Sequence, residues 1–203
     1  MATARDTRNQ IIDAAECLFG SKGYGSVSIN QICEESGFPV GSVYHHFGSK
    51  AGVLRAVLER GSTEFFANLP KVDDSVGSPE ERLAVYYERA ADLITKQRQL
   101  FRLFTSLRLH EAGNRETQEI VDVMEQRAAA HMTAYLEPIA RGYGVPDPAA
   151  CARELTTITM IYTSGAVSNA GDDEDRIRAE VDTLHRLVQA AILQRTTRSP
   201  VPN

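Results

Sequence analysis

Between Gly37 and Lys50 the chain reads GFPVGSVYHHFGSK, and its chemistry is that of hydrogen-bond donors rather than of a catalyst. Ser42, Tyr44, His45, His46 and Ser49 supply hydroxyl, phenol and imidazole groups, and the single formal cation, Lys50, stands at the end. Groups of this kind, together with main-chain N–H groups at a helix start, serve as donors to phosphates and base edges. His45 and His46 are adjacent, so on a helix they point about 100° apart, and no further ligand is in range by spacing; no metal site is expected. Nucleophilic or metal-assisted chemistry would need a G-x-S-x-G, H-E-x-x-H, P-loop or dinucleotide fingerprint, and none is present. His110-Glu111 is an isolated pair that reads as solvated. The expectation is therefore a protein that binds, not an enzyme, and one without a cofactor.

The elements that must position these groups are helical. Apolar residues recur at helical spacing almost throughout, with no persuasive strand and no internal repeat. Thr7 with Gln10 fits a capping box for a first helix from Thr7 to Phe19, whose apolar face is Ile11, Ile12, Ala15, Leu18 and Phe19. Gly20, Gly23 and Gly25 then break it. Ser28 with Gln31 is a second capping box, opening a short helix that Gly37 stops in a left-handed conformation. Pro39 suits the first turn of the next helix and Gly48 ends it. Two short helices across a glycine turn form a helix-turn-helix, whose second helix enters the DNA major groove. Its inward face is Val43 and Phe47; Val40, Gly41, Ser42, Tyr44, His45 and His46 point outward.

A longer helix over 50–69 follows, stopped by Pro70. KVDDSVGSPEE reads as a linker, within which Ser78-Pro79-Glu80-Glu81 starts a helix strongly. Helices are expected at 79–96, 98–110, 115–140, 148–169 and 173–195, and the tail TTRSPVPN reads as disordered. The fold class is thus all-α, about nine helices. The division expected is 1–50 for DNA binding, 51–203 for the rest, with the 50–69 helix connecting.

Composition agrees with this class. Hydrophobic residues are 42% and charged residues 24% of 203, as in a soluble globular protein. No apolar run approaches a membrane span and no signal peptide is recognisable, so a cytoplasmic protein is expected. Cys17, Cys33 and Cys151 read as buried small hydrophobes, not as a disulfide or zinc framework. The net charge is −5, yet residues 1–60 hold six basic and six acidic side chains. The acidic excess lies wholly in the remainder, which keeps that part off a polyanion.

Residues 11–58, IIDAAECLFGSKGYGSVSINQICEESGFPVGSVYHHFGSKAGVLRAVL, resemble the DNA-binding segment of the tetracycline-repressor (TetR) family of bacterial transcriptional regulators. Ala14-Ala15 before Leu18-Phe19, Gly23-Tyr24, Ser28, Ile29, Ile32, Gly37, Gly41-Ser42-Val43-Tyr44-His45-His46-Phe47 and Ser49-Lys50 carry the likeness. It implies a homodimer on a pseudo-palindromic operator, usually repressing, with a larger C-terminal helical domain for dimerisation and for a small-molecule effector that releases the DNA. By position it implies phosphate contacts for Tyr44, His45 and Lys50, a capping and phosphate-touching hydroxyl at Ser28, and base-edge approach by Asn30, Val40, Gly41 and Ser42. Val40 suits a thymine methyl, and Ser42 or Asn30 a base-edge hydrogen bond. The sequence departs from the family where Pro39 and Val40 replace a frequent serine and lysine, and where Asn30 replaces a frequent arginine. Anchoring is thinner and a weaker salt dependence is expected. Arg5 and Arg8 read either as solvated or as an arm to the DNA.

For the C-terminal helices, Ile177, Val181, Leu184, Val188 and Ala191 make a heptad-like seam, and Leu155, Ile158, Ile161, Tyr162 and Gly165 a neighbouring stripe. The two stripes are expected to form a four-helix dimer interface, or else to fill the subunit's own core. Tyr86, Tyr87, Phe101, Phe104, Met124, His131, Tyr135, Thr157 and Met160 are the candidates to line a pocket for a small, largely apolar effector. Core packing is the competing role for each, with His131 as a satisfied core histidine. The alternatives are an activator or ligand-independent regulator of the same kind, and a helical interaction protein with a degenerate helix-turn-helix.

Overall fold

In a computed structural model, residues 4–71 and 77–196 are described; residues 72–76 of the linker and the tail from 197 onward lie outside them. Among the described residues there are nine helices and no strand. They are α1 (Ala4–Lys22), α2 (Ile29–Ser36), α3 (Val40–Phe47), α4 (Lys50–Ala67), α5 (Pro79–Lys96), α6 (Arg98–His110), α7 (Arg115–Gly142), α8 (Pro148–Ala170) and α9 (Glu174–Thr196). Packing divides the chain into two compact units.

The first unit runs to Glu64 and takes in Gln99–Glu125, so it holds α1–α3, most of α4, α6 and the first third of α7. It is discontinuous in sequence, unlike the cut expected at residue 50, because side chains from α6 and α7 share the core of the N-terminal helices. Ile11, Ile12, Phe19, Ile32, Val43, Leu54 and Leu58 are buried with Leu100, Leu103, Leu107, Ile120 and Met124 in one cluster. α1 begins at Ala4, so Thr7 lies inside the helix rather than capping it. It also continues through Gly20, which does not break it; a Cβ there would come 3.1 Å from the Gln99 side chain of α6. The glycine marks a close approach of two helices, not a stop. Arg60 of α4 ties back to α1 through Asp13 and Glu16. Cys17, expected inside, is exposed on α1, while Cys33 is half-buried and Cys151 buried.

The second unit comprises Phe65–Arg98 and the chain from Gln126 on. α9 packs against both α5 and α8. α5 has the start anticipated for it: the Ser78 hydroxyl accepts from Glu81 N–H at 3.1 Å, and the Glu81 carboxylate accepts from Ser78 N–H at 2.7 Å. Asp147 caps α8 by accepting from Ala150 N–H at 2.9 Å. α7 runs two residues past its expected end with Pro138 inside it.

The seam expected on α9 as a subunit interface is corrected by burial. Ile177, Val181, Leu184 and Val188 are at most 3% exposed within this chain alone. Helical spacing marks a buried stripe without saying what buries it, and here α5 and α8 of the same chain do so. Leu155 is likewise enclosed. α8 is the reverse of an ordinary amphipathic helix. Thr156, Thr159 and Thr163 are buried while Ile158 and Ile161 are exposed, Ile161 at 71%. Two of the threonines are satisfied across helices. Thr159 shares a 3.1 Å hydrogen bond with the Tyr87 phenol, and Thr156 one of 3.0 Å with Thr133.

Two stability outcomes follow from these contacts. A Cβ on Gly52 would stand 1.9 Å from the Phe47 carbonyl oxygen, closer than any side chain tolerates. Gly52→Ala is therefore expected to lower stability by about 1–3 kcal/mol or more, as forced overpacking does; an unchanged urea midpoint would refute the contact. In the second unit, Tyr87→Phe leaves the Thr159 hydroxyl buried without its partner, at a cost of roughly 1–3 kcal/mol. The double variant Tyr87→Phe/Thr159→Val should cost less than the sum of the singles in thermal unfolding. Strict additivity would show that the two hydroxyls are not coupled.

Candidate nucleic-acid interface

The helix-turn-helix is assembled from local signals that can be followed residue by residue. Ser28 adopts an extended backbone, its hydroxyl accepts from Gln31 N–H at 3.3 Å, and its own N–H donates to the Gln31 side chain at 2.8 Å. That reciprocal pair starts α2. Gly37, at φ 73°, ends it in the left-handed region, with its N–H on the Cys33 carbonyl at 2.9 Å. Pro39 is the N-cap of α3 rather than its first residue; it offers no side-chain acceptor, and its carbonyl takes the N–H of Ser42 at 2.9 Å. Gly48, also at φ 73°, closes α3 on the Tyr44 carbonyl. The Ser49 hydroxyl then accepts from Gly52 N–H at 3.0 Å, capping the start of α4.

Val43 is fully buried and fixes the roll of α3, with Phe47 half-buried beside it. The opposite face carries the residues expected to meet DNA. Val40 is 45% and Tyr44 51% exposed, and Gly41 and His45 are exposed with them. Ser42 and His46 are half-exposed. Ser28 and Asn30, at the start of α2, are exposed as well. Nothing lies within 4 Å of a Cβ built on Gly41, so its face of α3 is open. The rings of His45 and His46 are edge-to-face at 5.3 Å, and the described residues contain no group of three or more metal-ligating side chains.

Two basic residues sit closer to the protein than the sequence implied. Lys50 is half-buried, its ammonium 4.2 Å from the centre of the Tyr24 ring. Burial lowers its pKa from the usual lysine value. Arg8 lies in α1 with its guanidinium 5.4 Å from the centre of the Phe47 ring, so it braces α3 instead of extending as an arm. Cation–ring contacts of this kind leave no periodic trace in a sequence.

The candidates for an effector pocket are divided between the two units. Phe101, Phe104 and Met124 belong to the first unit; Met124 is buried in its core and Phe104 packs against it. Thr157 is exposed and its hydroxyl donates to the Arg153 carbonyl at 3.1 Å, and Met160 is half-buried. His131, expected in the core, is exposed and stacks on Phe66 at 4.6 Å. Within the second unit Tyr86, Tyr87 and Tyr135 cluster. Tyr86 is 5.3 Å from Tyr87 and 4.2 Å from Tyr135, whose phenol donates to the Arg82 carbonyl at 3.3 Å. Burial pushes the Tyr87 phenol up to about 12 and raises Tyr86 further, so both stay neutral.

This cluster includes residues that apolar periodicity cannot find. His185 of α9 stacks on Tyr87 at 5.4 Å, and burial lowers its pKa, favouring the neutral imidazole. Its Nε2 and the Thr95 hydroxyl are buried without a hydrogen-bond partner. A reading of polar residues at helical spacing, Thr156, Thr159 and Thr163, would have shown that face of α8. Among the stripe residues, Tyr162 donates to Glu180 of α9 at 2.6 Å, Gly165 is exposed and Ala191 is half-exposed.

Comparison with known proteins agrees with the geometry. Residues 11–57 match the model of the bacterial regulatory proteins, tetR family. The HTH-type transcriptional repressor KstR2 of Mycobacterium tuberculosis is 24% identical over 140 residues, covering 69% of this chain and 70% of that protein. The structure of Salmonella enterica GusR superposes with a TM-score of 0.70 at 20% identity, over 92% of this chain and 95% of that one. A regulatory protein TetR from Rhodobacter sphaeroides gives a TM-score of 0.67 at 23% identity, over 88% and 96%. No helix among the described residues is long and apolar enough to cross a membrane. With a helix-turn-helix built as its capping residues dictate and regulators as relatives, residues 11–57 are a DNA-binding segment of the tetR family and the chain is a DNA-binding transcriptional regulator.

Proposed function

We propose that the protein is a cytoplasmic repressor that binds a pseudo-palindromic operator as a homodimer and is released by a small, largely apolar effector. The observation that carries the DNA-binding part is the outward face of α3, where Val40, Gly41, Tyr44 and His45 stand open around one buried anchor, Val43. Tyr44, His45 and Lys50 take the phosphates; Ser28 adds a hydroxyl at the start of α2. Asn30, Val40, Gly41 and Ser42 approach base edges, where a valine suits a thymine methyl and short polar groups a hydrogen bond. Repression rather than activation is supported by a relative named as a repressor.

The second copy is supported by α8 and α9. Ile158, Ile161, Leu187 and Leu193 are exposed on two helices that pack together, and α8 buries threonines while showing isoleucines. Such a face is ordered correctly only if another apolar surface covers it. The dimer residues thereby become Ile158, Ile161 and Gly165 with Leu187 and Leu193, in place of the enclosed α9 seam.

The effector reading rests on the second unit's neutral aromatic cluster. Tyr86, Tyr87, Tyr135 and His185 bring their rings together, with the Arg82 charge acting on Tyr135, and such an aromatic wall with few polar groups suits a largely apolar ligand. His185 Nε2 offers it a hydrogen-bonding atom.

Binding to a duplex from the region flanking the protein's own gene tests this reading. Tyr44→Ala should weaken binding across operators, whereas Val40→Ala or Ser42→Ala should change the preferred sequence; a wild-type chain giving no sequence-specific complex even at low salt would end the repressor reading. Ile161→Arg should convert a dimer to a monomer by sedimentation and cost operator affinity at least about tenfold, the effect of losing a linked second site. A variant that stays dimeric would place the interface elsewhere.

A further inference from the structure

The turn between α6 and α7 meets the DNA-binding helices at Glu111, with Glu116 and Thr117 at the start of α7 also acting on Tyr24. The Glu111 carboxylate oxygen lies 2.7 Å from where a Cβ on Gly25 would be, so it rests against the backbone beside Tyr24. Tyr24 is the ring over which Lys50 lies at 4.2 Å. The Glu111 charge acts on both the Lys50 ammonium and the Tyr24 phenol. Tyr24 is itself held edge-to-face on Phe19 at 5.2 Å and is 7% exposed, so the platform under Lys50 is rigid.

Glu111 is also held firmly. Gln118 of α7 donates to the carbonyls of Leu107 and Glu111, both at 3.1 Å, closing the end of α6. Arg108 of α6 reaches across to Glu125 at 2.8 Å and to Asp122 at 2.9 Å on α7. Asn114 N–H donates to the Glu111 carbonyl at 2.9 Å. The carboxylate is therefore presented by a braced turn and not by a loose loop.

We propose that Glu111 is an intramolecular competitor of the operator phosphate for Lys50, so that the α6–α7 turn sets how strongly the protein grips DNA. The inference rests on the phosphate-binding role of Lys50 given above. In free protein the ammonium lies over an aromatic face and feels the charge of Glu111, both favourable to a cation. To meet a phosphate it must exchange the attraction of Glu111 for that of the DNA, and the nearby carboxylate repels the incoming phosphate at the same time. In a first sixty residues with no net charge, one such competition is a large share of the available electrostatic grip. Motion of the turn away from Gly25 would strengthen binding and motion toward it would weaken binding, which gives α6 and α7 a direct hold on a DNA-contacting side chain. Glu111 is thus a positioning residue acting through Lys50.

The test is a double-mutant cycle with Glu111→Gln and Lys50→Ala, read by titration of the flanking-gene duplex and of a mixed-sequence duplex at low salt. Glu111→Gln is expected to tighten binding about three- to tenfold at low salt, fading as added salt screens the charge. In the Lys50→Ala background the same substitution should gain markedly less. A second readout needs no DNA: the Lys50 ammonium, followed by its side-chain carbon resonance in the full chain, should titrate at lower pH in Glu111→Gln. An equal gain in both backgrounds, no gain, or an unchanged Lys50 titration would each overturn the proposal. If the wild type shows no specific complex, the repressor reading fails on its own, while the titration and the mixed-sequence duplex still decide the role of Glu111.

Discussion

An eight-residue helix has no stability of its own in water, so everything α3 can do depends on how it is clamped. The clamp is the burial of Val43 in a core that α1, α2 and α4 share with α6 and the start of α7. At its far end, Gly52 lets the first turn of α4 come against the Phe47 carbonyl, which sets the angle between α3 and the helix after it. A side chain at position 52 would push the two apart. The exposed face of α3 is aimed by these two contacts, one of side-chain packing and one of backbone approach, and not by any group that touches DNA.

The same economy explains the weak charge of the interface. Rigid placement lowers the entropy lost on docking, so a few hydroxyls, a phenol and imidazoles can serve where a flexible surface would need more cations. Of the basic residues nearby, Arg8 braces Phe47 and Lys50 lies over Tyr24. Both are spent on structure in the free protein. How readily such a cation is released is a property of its protein neighbours more than of its own charge.

The second unit follows a different logic. Its helices bury polar groups at matched positions, Tyr87 on Thr159 and Thr133 on Thr156, and leave isoleucines and leucines outside. Satisfied buried hydroxyls cost little, whereas buried polar atoms without a partner, such as Thr95 Oγ1 and His185 Nε2, are expensive to keep. The inside of this unit is thus more polar, and its outside more apolar, than in an ordinary helical bundle.

Much of the first unit was legible in the residues alone. Ser28 with Gln31, Gly37, and Gly48 are signals whose physics is local, and the helices they bound stand within a residue or two of where the sequence puts them. The outward residues of α3 were legible for the same reason, since helical period and one buried valine determine the rest. What only the tertiary structure decided was partnership. Helical spacing says that Ile177, Val181, Leu184 and Val188 are covered, but not whether α5 of the same chain or a second subunit covers them. Gly20 reads as a break until Gln99 is seen to fill the space beside it, and nine aromatic, methionine and threonine candidates read alike until six fall in one unit and three in the other. Local backbone signals act over one helical turn and are written consecutively. Contacts such as Glu111 beside Gly25, joining residues far apart in the chain, depend on how whole helices pack, and no single stretch of sequence carries them.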